Sequence, residues 1–543
     1  MSIVQEYYKD ILNRKIYFIP LLIFSIVGYG FSLFNRTIGW DDLLRDHYFG
    51  DIALAGRWGE ALWTKLLGIQ DFDPFIDRFV ALLFLIIASI LFSFLIYLIS
   101  RQKSVVPYTI TSSIFVTYPL INEIWEYSGA NLFVTGGLAL TTLTLCILRN
   151  NERSIKWMLV SSILLILPIS SYESSIFYYI ALVFMVLFLD NIYNNNFNKE
   201  KSFFCTISYY LSPVVFAFFV RIIVSFVLRI TYNLSSVGGG ATEITWLTDP
   251  ISLVLLKFFG INFLNYFLSS LVYFPITEFL IALLIFVGFV FVVFYEKKKK
   301  SIIVYSIFLL LSLFSQAILQ GFGMPYRTAQ TLTLFMSLVS FLVAANSMVS
   351  QNRFFRFIIC ISLFSVCWYQ AVFLNHILGL NNLRSENESY ILRNIGERIV
   401  RDYDNKPVVL ISPYSSGTWI ESRVEIGYDT WNERLYHAVF IKIMPEQYRK
   451  YFNNRIVDSN VNCATEEYSQ ISAAFAYYGY DINVVGPIEK PHTPDYLHKD
   501  TKILKEAMAI AKEKNMRPYE IYDNGEYLIV NLSGKRSFLE HEE

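Results

Sequence analysis

Long apolar runs, returning from residue 16 to residue 374, constrain this chain more than any motif does. In hydrocarbon every backbone N–H and C=O must be bonded within the protein, so a run of this kind folds as an α-helix. Read as helices of about 20 residues, the runs place spans near 16–34, 76–99, 104–121, 132–148, 155–170, 174–189, 205–229, 268–295, 302–320, 328–349 and 355–374. A polytopic α-helical membrane protein of about eleven transmembrane helices follows. Composition agrees, with 54% hydrophobic and only 17% charged residues. The runs 155–170 and 174–189 are short and joined by almost nothing, which leaves a re-entrant pair open there.

Charge between the runs sets the orientation. Arg101 with Lys103, Arg149 to Lys156, Lys199 with Lys201, Lys297 to Lys300, and Arg353 with Arg356 all fall on the side of the N-terminus. The positive-inside rule makes that side the cytoplasm, and an odd number of spans then sends the C-terminal tail outside. Glu6, Lys9, Asp10, Arg14 and Lys15 precede the first run with no small-residue cleavage site, so that run reads as a retained span. The formal net charge is zero, which gives no global field for nucleic acid. The five cysteines show neither a disulfide framework nor a zinc spacing.

Residues 1–375 thus form the membrane domain, with a first outside loop at 35–75, and residues 376–543 form a C-terminal extracytoplasmic α/β domain. In that tail, 407–412, 481–485 and 527–532 read as strands, 502–514 as an amphipathic helix, and Asp523-Asn524-Gly525 as a turn. The tail holds no Gly-rich phosphate loop, nucleophile elbow or metal-spaced histidines. A second outside segment, 231–265, pairs Gly238-Gly239-Gly240 with an apolar stretch, the pattern of a hinge and surface helix or of a plain interfacial linker.

The first outside loop carries Gly39-Trp40-Asp41-Asp42-Leu43-Leu44-Arg45-Asp46 and then Gly56-Arg57-Trp58-Gly59. A carboxylate in a partly dry pocket is what a general base for glycosyl transfer requires. On a helix Asp41 and Arg45 are spaced for a salt bridge, which leaves Asp42 free. Arg327 lies in a short outside connection, where a guanidinium can grip a phosphate in bidentate fashion. Glu126 lies outside beside Trp125 and Tyr127, rings that could stack on a sugar or equally anchor the chain at the membrane interface, and Glu173 lies between two apolar runs, where an ionisable group is functional by default.

Trp40-Asp41-Asp42 through Arg45, Gly56-Arg57-Trp58-Gly59, Ser171-Tyr172-Glu173 and Arg517-Pro518-Tyr519-Glu520-Ile521 resemble the GT-C glycosyltransferases. Within that superfamily they look like the serotype-converting glucosyltransferases of the Gtr type. The resemblance implies a multi-pass enzyme of the bacterial inner membrane. Such an enzyme takes glucose or a related sugar from undecaprenyl phosphate and places it on O-antigen or another surface glycan outside the cytoplasm. It makes Asp41 the base, whereas the helix argument leaves Asp42 free, and the choice between them stays open. Arg327 and Arg45 are the expected donor-phosphate ligands, and Arg57, Trp58, Glu126, Tyr172, Glu173 and Tyr326 the expected substrate contacts. No cofactor and no metal site is required, with a divalent metal left open; the partners are the lipid-linked sugar, the glycan acceptor and membrane lipids, with no nucleic acid. A glycan polymerase or ligase fits less well because the late loop around Arg327 is short. A lipid-linked-sugar transporter fits less well because neither hydropathy repeats nor mid-span carboxylate–lysine pairs are present, although Arg221 does fall within an apolar run.

Overall fold

A computed structural model describes residues 3–35, 57–68, 74–119, 124–125, 128–194, 203–231, 300–320, 330–349, 352–403, 406–411, 475–476, 478–482, 502–517 and 519–531. A short helix, α1 (Ile3–Tyr7), runs through a π-turn into α2 (Lys15–Phe34). Then come α3 (Trp58–Leu67), α4 (Pro74–Ser100), α5 (Val105–Thr117), α6 (Ser128–Asn150), α7 (Ile155–Ser171), α8 (Ser174–Tyr193) and α9 (Phe203–Thr231). After the segment 232–299, which lies outside the described residues with the expected span 268–295, come α10 (Lys300–Leu313), α11 (Ser315–Gln320), α12 (Gln330–Val349) and α13 (Arg353–Asp402). Among the described residues seven helical segments are long and apolar enough to cross a membrane: α2, most of α4, α6, α8, α9, α12 and the first half of α13. Apolar stretches of α5, α7 and α10 are shorter, at 10–17 residues, and stand where three further spans were expected. The protein is a polytopic helical membrane protein.

Helix α5 is the axis of the bundle. It is buried from Pro107 to Thr117 and packs on α2, α4, α12 and α13. Several of its hydroxyl residues are accommodated by bonding within the helix: Thr111 donates to the Pro107 carbonyl (2.7 Å) and Thr117 to that of Ser113 (2.8 Å). Other hydroxyls fasten helix to helix, which counts where lipid supplies no hydrophobic drive for association. Tyr17 shares a hydrogen bond with Ser112 (2.7 Å), Tyr29 donates to the Val116 carbonyl (2.8 Å), and Thr117 reaches Gln370 of α13 (2.9 Å). At the opposite rim from the expected first outside loop, Arg149 of α6 meets Asp190 of α8 at 2.5 Å.

The C-terminal end of α2 is tied down at one point. Buried Arg78, in the first turns of α4, donates from Nη1 to the carbonyls of Ser32 (2.9 Å) and Asn35 (2.7 Å). Trp125 donates its indole N–H to Ser32 Oγ (2.8 Å) and packs its ring, tilted by 42°, against Tyr29 at 4.4 Å between centroids. Trp125 is fully buried, so this ring is a core anchor rather than a surface for a sugar.

Helix α13 is 50 residues long and continues unbroken past residue 375, where composition turns polar. Asn352 caps its start by accepting from the backbone N–H of Phe354 and Phe355. Its far end packs Leu392, Ile395 and Ile399 on one face of a three-stranded sheet made of β1 (Val408–Ile411), β2 (Ile521–Asp523) and β3 (Leu528–Asn531). The order is β1-β3-β2, with β1 parallel and β2 antiparallel to β3. Alternation explains the near-continuous apolar run in β1. Val408 and Leu410 join the α13 side, whereas Val409 and Ile411 meet Ala507, Ala511 and Met516 of and after α14 (Lys502–Glu513). Gly525, at φ +98, makes the turn between β2 and β3 with Asn524, whose side chain accepts from Glu526 and Tyr527. Of the expected strand 481–485, Asp481 and Ile482 are irregular and the rest lies outside the described residues.

Replacing Arg78 with Met removes the donor to two carbonyls in a dry setting, each such loss costing about 1–3 kcal/mol. A lowered melting temperature of the detergent-solubilised protein is the expected result, and an unchanged one contradicts the clasp.

Candidate functional site

Two segments that the sequence holds more than 100 residues apart meet at one end of the bundle. The first is α3, which ends at Gly68 in the left-handed region (φ +69), where a glycine is needed. Its Trp63 is buried, lying 3.0 Å from where a Cβ on Gly136 would stand and 5.4 Å from the Phe84 ring. At its start Gly59 lies so close to α7 that an added Cβ would stand 2.3 Å from Ser170 Oγ and 2.5 Å from Ser171 Oγ. Only the absence of a side chain lets α3 approach that far, and the approach delivers Arg57 to the second segment.

That segment is the connection Tyr172–Glu173 between α7 and α8. The Tyr172 N–H bonds back to the Pro168 carbonyl (3.0 Å) and the Ser175 N–H to that of Tyr172 (3.1 Å), so both sides of the two-residue connection are held by backbone bonds. Tyr172 packs on Ile124 and Val134. The Arg57 guanidinium lies 5.2 Å from the centre of the Tyr172 ring, within cation–π range. Arg57 Nε stands 3.5 Å from Glu173 Oε2. The other carboxylate oxygen, Oε1, lies 2.5 Å from Nη2 of Arg221 on α9. Glu173 therefore sits between two guanidiniums, all three side chains partly open, at 27%, 32% and 12% exposed for Glu173, Arg57 and Arg221.

Burial pushes the Glu173 carboxyl up, but Arg57 and then Arg221 pull it down by more, so it is held below the usual carboxylate range. Around this cluster are buried polar groups with no hydrogen-bond partner among the described residues: the indole N–H of Trp58 and both amide atoms of Asn131, a fully buried residue one turn before Val134 on α6. Ser174 donates to Gln330 of α12 (3.1 Å), which fixes the start of α8 from the other side.

Of the residues expected from sequence, the structure gathers Arg57, Trp58, Tyr172 and Glu173. Asp41, Asp42, Arg45, Glu126, Tyr326 and Arg327 lie outside the described residues. Arg221 was visible in the sequence only as an arginine in an apolar run; its partner Glu173 lies 48 positions away. Among the described residues no group of three or more His, Cys, Asp or Glu side chains is placed to hold a metal ion.

Two outcomes test this geometry. Gly59→Ala overpacks α3 against α7, a change that costs about 1–3 kcal/mol, and should lower the melting temperature while Gly30→Ala, whose Cβ meets only Ile26 at 3.3 Å, does not. Equal midpoints for the two variants count against the close approach. A carboxyl with a lower pKa folded than unfolded stabilises fully above its unfolded value, near ~4.3, and less as pH falls through the folded one. The stability advantage of wild type over Glu173→Gln should accordingly be full at neutral pH and shrink on acidification below about pH 4.3; a constant offset contradicts the ion cluster.

Residues 30–373 match the profile of the family described as Glucosyl transferase GtrII. No curated protein and no solved structure matches the chain. The family match begins within α2, takes in Arg57, Glu173 and Arg221, and covers more than half of the 543 residues, so the chain belongs to the GtrII glucosyl transferase family.

Proposed function

We propose that this membrane glycosyltransferase moves a sugar, glucose first among the candidates, from undecaprenyl phosphate to O-antigen or another surface glycan on the extracytoplasmic side of the bacterial inner membrane. The reading takes the expected topology of about eleven spans, a GT-C-like membrane domain with a cytoplasmic N-terminus, and an extracytoplasmic α/β tail over 376–543. The observation that carries it is the meeting of Arg57 with Tyr172 and Glu173, which draws the first loop and the α7–α8 connection into one charged, partly open site. A pocket for a polyhydroxyl ligand is supported by the Trp58 indole N–H and the Asn131 amide, buried donors and an acceptor that sugar hydroxyls would satisfy.

The reaction is a single inverting displacement. Asp41 or Asp42 takes the proton of an acceptor hydroxyl, whose oxygen forms a bond to the anomeric carbon as the bond from that carbon to the phosphate oxygen breaks. The electron pair leaves with the phosphate, giving polyprenyl phosphate, and Arg327, aided by Arg45, stabilises the charge that develops there. A monophosphate leaving group needs no metal for this step. Tyr172, Trp58, Glu126 and Tyr326 are assigned to the substrate, by stacking or hydrogen bonding.

Replacing Asp41 and Asp42 singly with Asn, and following transfer from the lipid-linked sugar in membranes, should lower turnover by about 100-fold or more in one variant, as expected for loss of a general base. Full transfer in both sinks the mechanism.

A further inference from the structure

The role of Arg221 goes beyond that scheme. It occupies an apolar helix whose Phe219, Ile223 and Phe226 are exposed, while Arg221 lies on the inward side with buried Val214 and Ala217. A guanidinium within a membrane span is costly and is kept where it serves a site. Here it is held at 2.5 Å by Glu173, whose second oxygen is shared with Arg57 from the first outside loop. One carboxylate thus engages two guanidiniums, a group whose planar fork matches a phosphate in bidentate fashion. The starts of α3 and α8 lie at the same spot, and helix N-termini add partial positive charge there. The cluster is open enough to be reached, and one helix width, ~10 Å, separates it from the exposed apolar face of α9.

We propose that Arg57 and Arg221, preorganised by Glu173, form the binding site for the phosphate of a lipid monophosphate, with the apolar chain lying along the outer face of α9. This rests on the lipid-linked donor reading above and assigns binding of the intact donor's phosphate to Arg57 and Arg221, leaving to Arg327 and Arg45 the charge that develops as the phosphate departs. It makes Arg221 a ligand-binding residue, gives Arg57 an anion in place of an undefined substrate contact, and makes Glu173 a positioning residue.

The test measures binding of a polyprenyl monophosphate to the full-length protein in nanodiscs of zwitterionic lipid. Inorganic phosphate and phosphatidylglycerol serve as competitors, and Arg221→Gln, Arg221→Lys, Glu173→Gln and, at the exposed far end of α13, Arg401→Gln as variants. Binding by wild type and by Arg401→Gln, weakened at least tenfold by Arg221→Gln and partly restored by Arg221→Lys in protein that stays folded at the assay temperature, is the expected result. Glu173→Gln, which loosens both arginines, should weaken binding less than Arg221→Gln does. Equal binding by wild type and Arg221→Gln overturns the site but leaves the donor reading standing. Displacement by phosphatidylglycerol at equal concentration overturns it in favour of a bulk-lipid contact, and displacement by inorganic phosphate at equal concentration overturns the part assigned to the apolar chain. No binding by wild type, together with sugar transfer from a water-soluble donor, overturns the donor reading and the site together.

Discussion

A single carboxylate between two guanidiniums holds one end of the helix bundle together. Glu173 occupies a two-residue connection between α7 and α8, Arg57 stands at the start of a surface helix, and Arg221 belongs to an apolar helix of 29 residues. None of the three charges would rest comfortably in such surroundings alone. With the two guanidiniums 3.5 and 2.5 Å from the Glu173 carboxylate, the three charges offset part of their desolvation cost, and removing the carboxylate leaves both arginines partly buried and uncompensated. The loop, the connection and the span are fixed relative to one another by that mutual need.

Helix α8 is pinned in this way at both ends. Glu173 immediately precedes it and meets Arg57 and Arg221; Asp190, near its other end and ~25 Å away by helix rise, meets Arg149. Between them the helix is almost wholly buried, with Tyr179 donating to the Tyr210 carbonyl of α9 at 2.6 Å. A helix so enclosed cannot gain from being apolar relative to lipid, so directional contacts set its register. Hydroxyls along α5 and close approaches at Gly59, Gly136 and Gly137 serve the same end in the rest of the bundle.

Much of this was legible in the sequence because lipid and the helix leave so few alternatives. The apolar runs located α2, α4, α6, α8, α9 and α12 within a few residues, and alternation with a turn signal located β1, β3 and α14. The stop signals were harder to read: the polar turn after residue 375 looks like a boundary, yet α13 continues through it because its far end finds an apolar partner in the sheet. Strand β2 was missed since three residues, Ile521-Tyr522-Asp523, show no periodicity of their own and exist by pairing with β3. Trp125 looked like an interfacial ring and is a buried anchor, a difference decided by the position of Ser32 and Tyr29.

The sequence alone determined that the chain is a bundle of membrane helices, since backbone polarity in hydrocarbon admits little else; it marked Glu173 by its place between two apolar runs, and Arg57, Trp58 and Tyr172 through the motifs that carry the family resemblance. Which of these meet was decided by tertiary packing. The pairing of Glu173 with Arg221 depends on how α9 is rotated against α7 and α8, and the arrival of Arg57 depends on a glycine facing two serines. Neither rotation nor close approach is encoded in local periodicity; both arise from contacts between residues 48 to more than 100 positions apart.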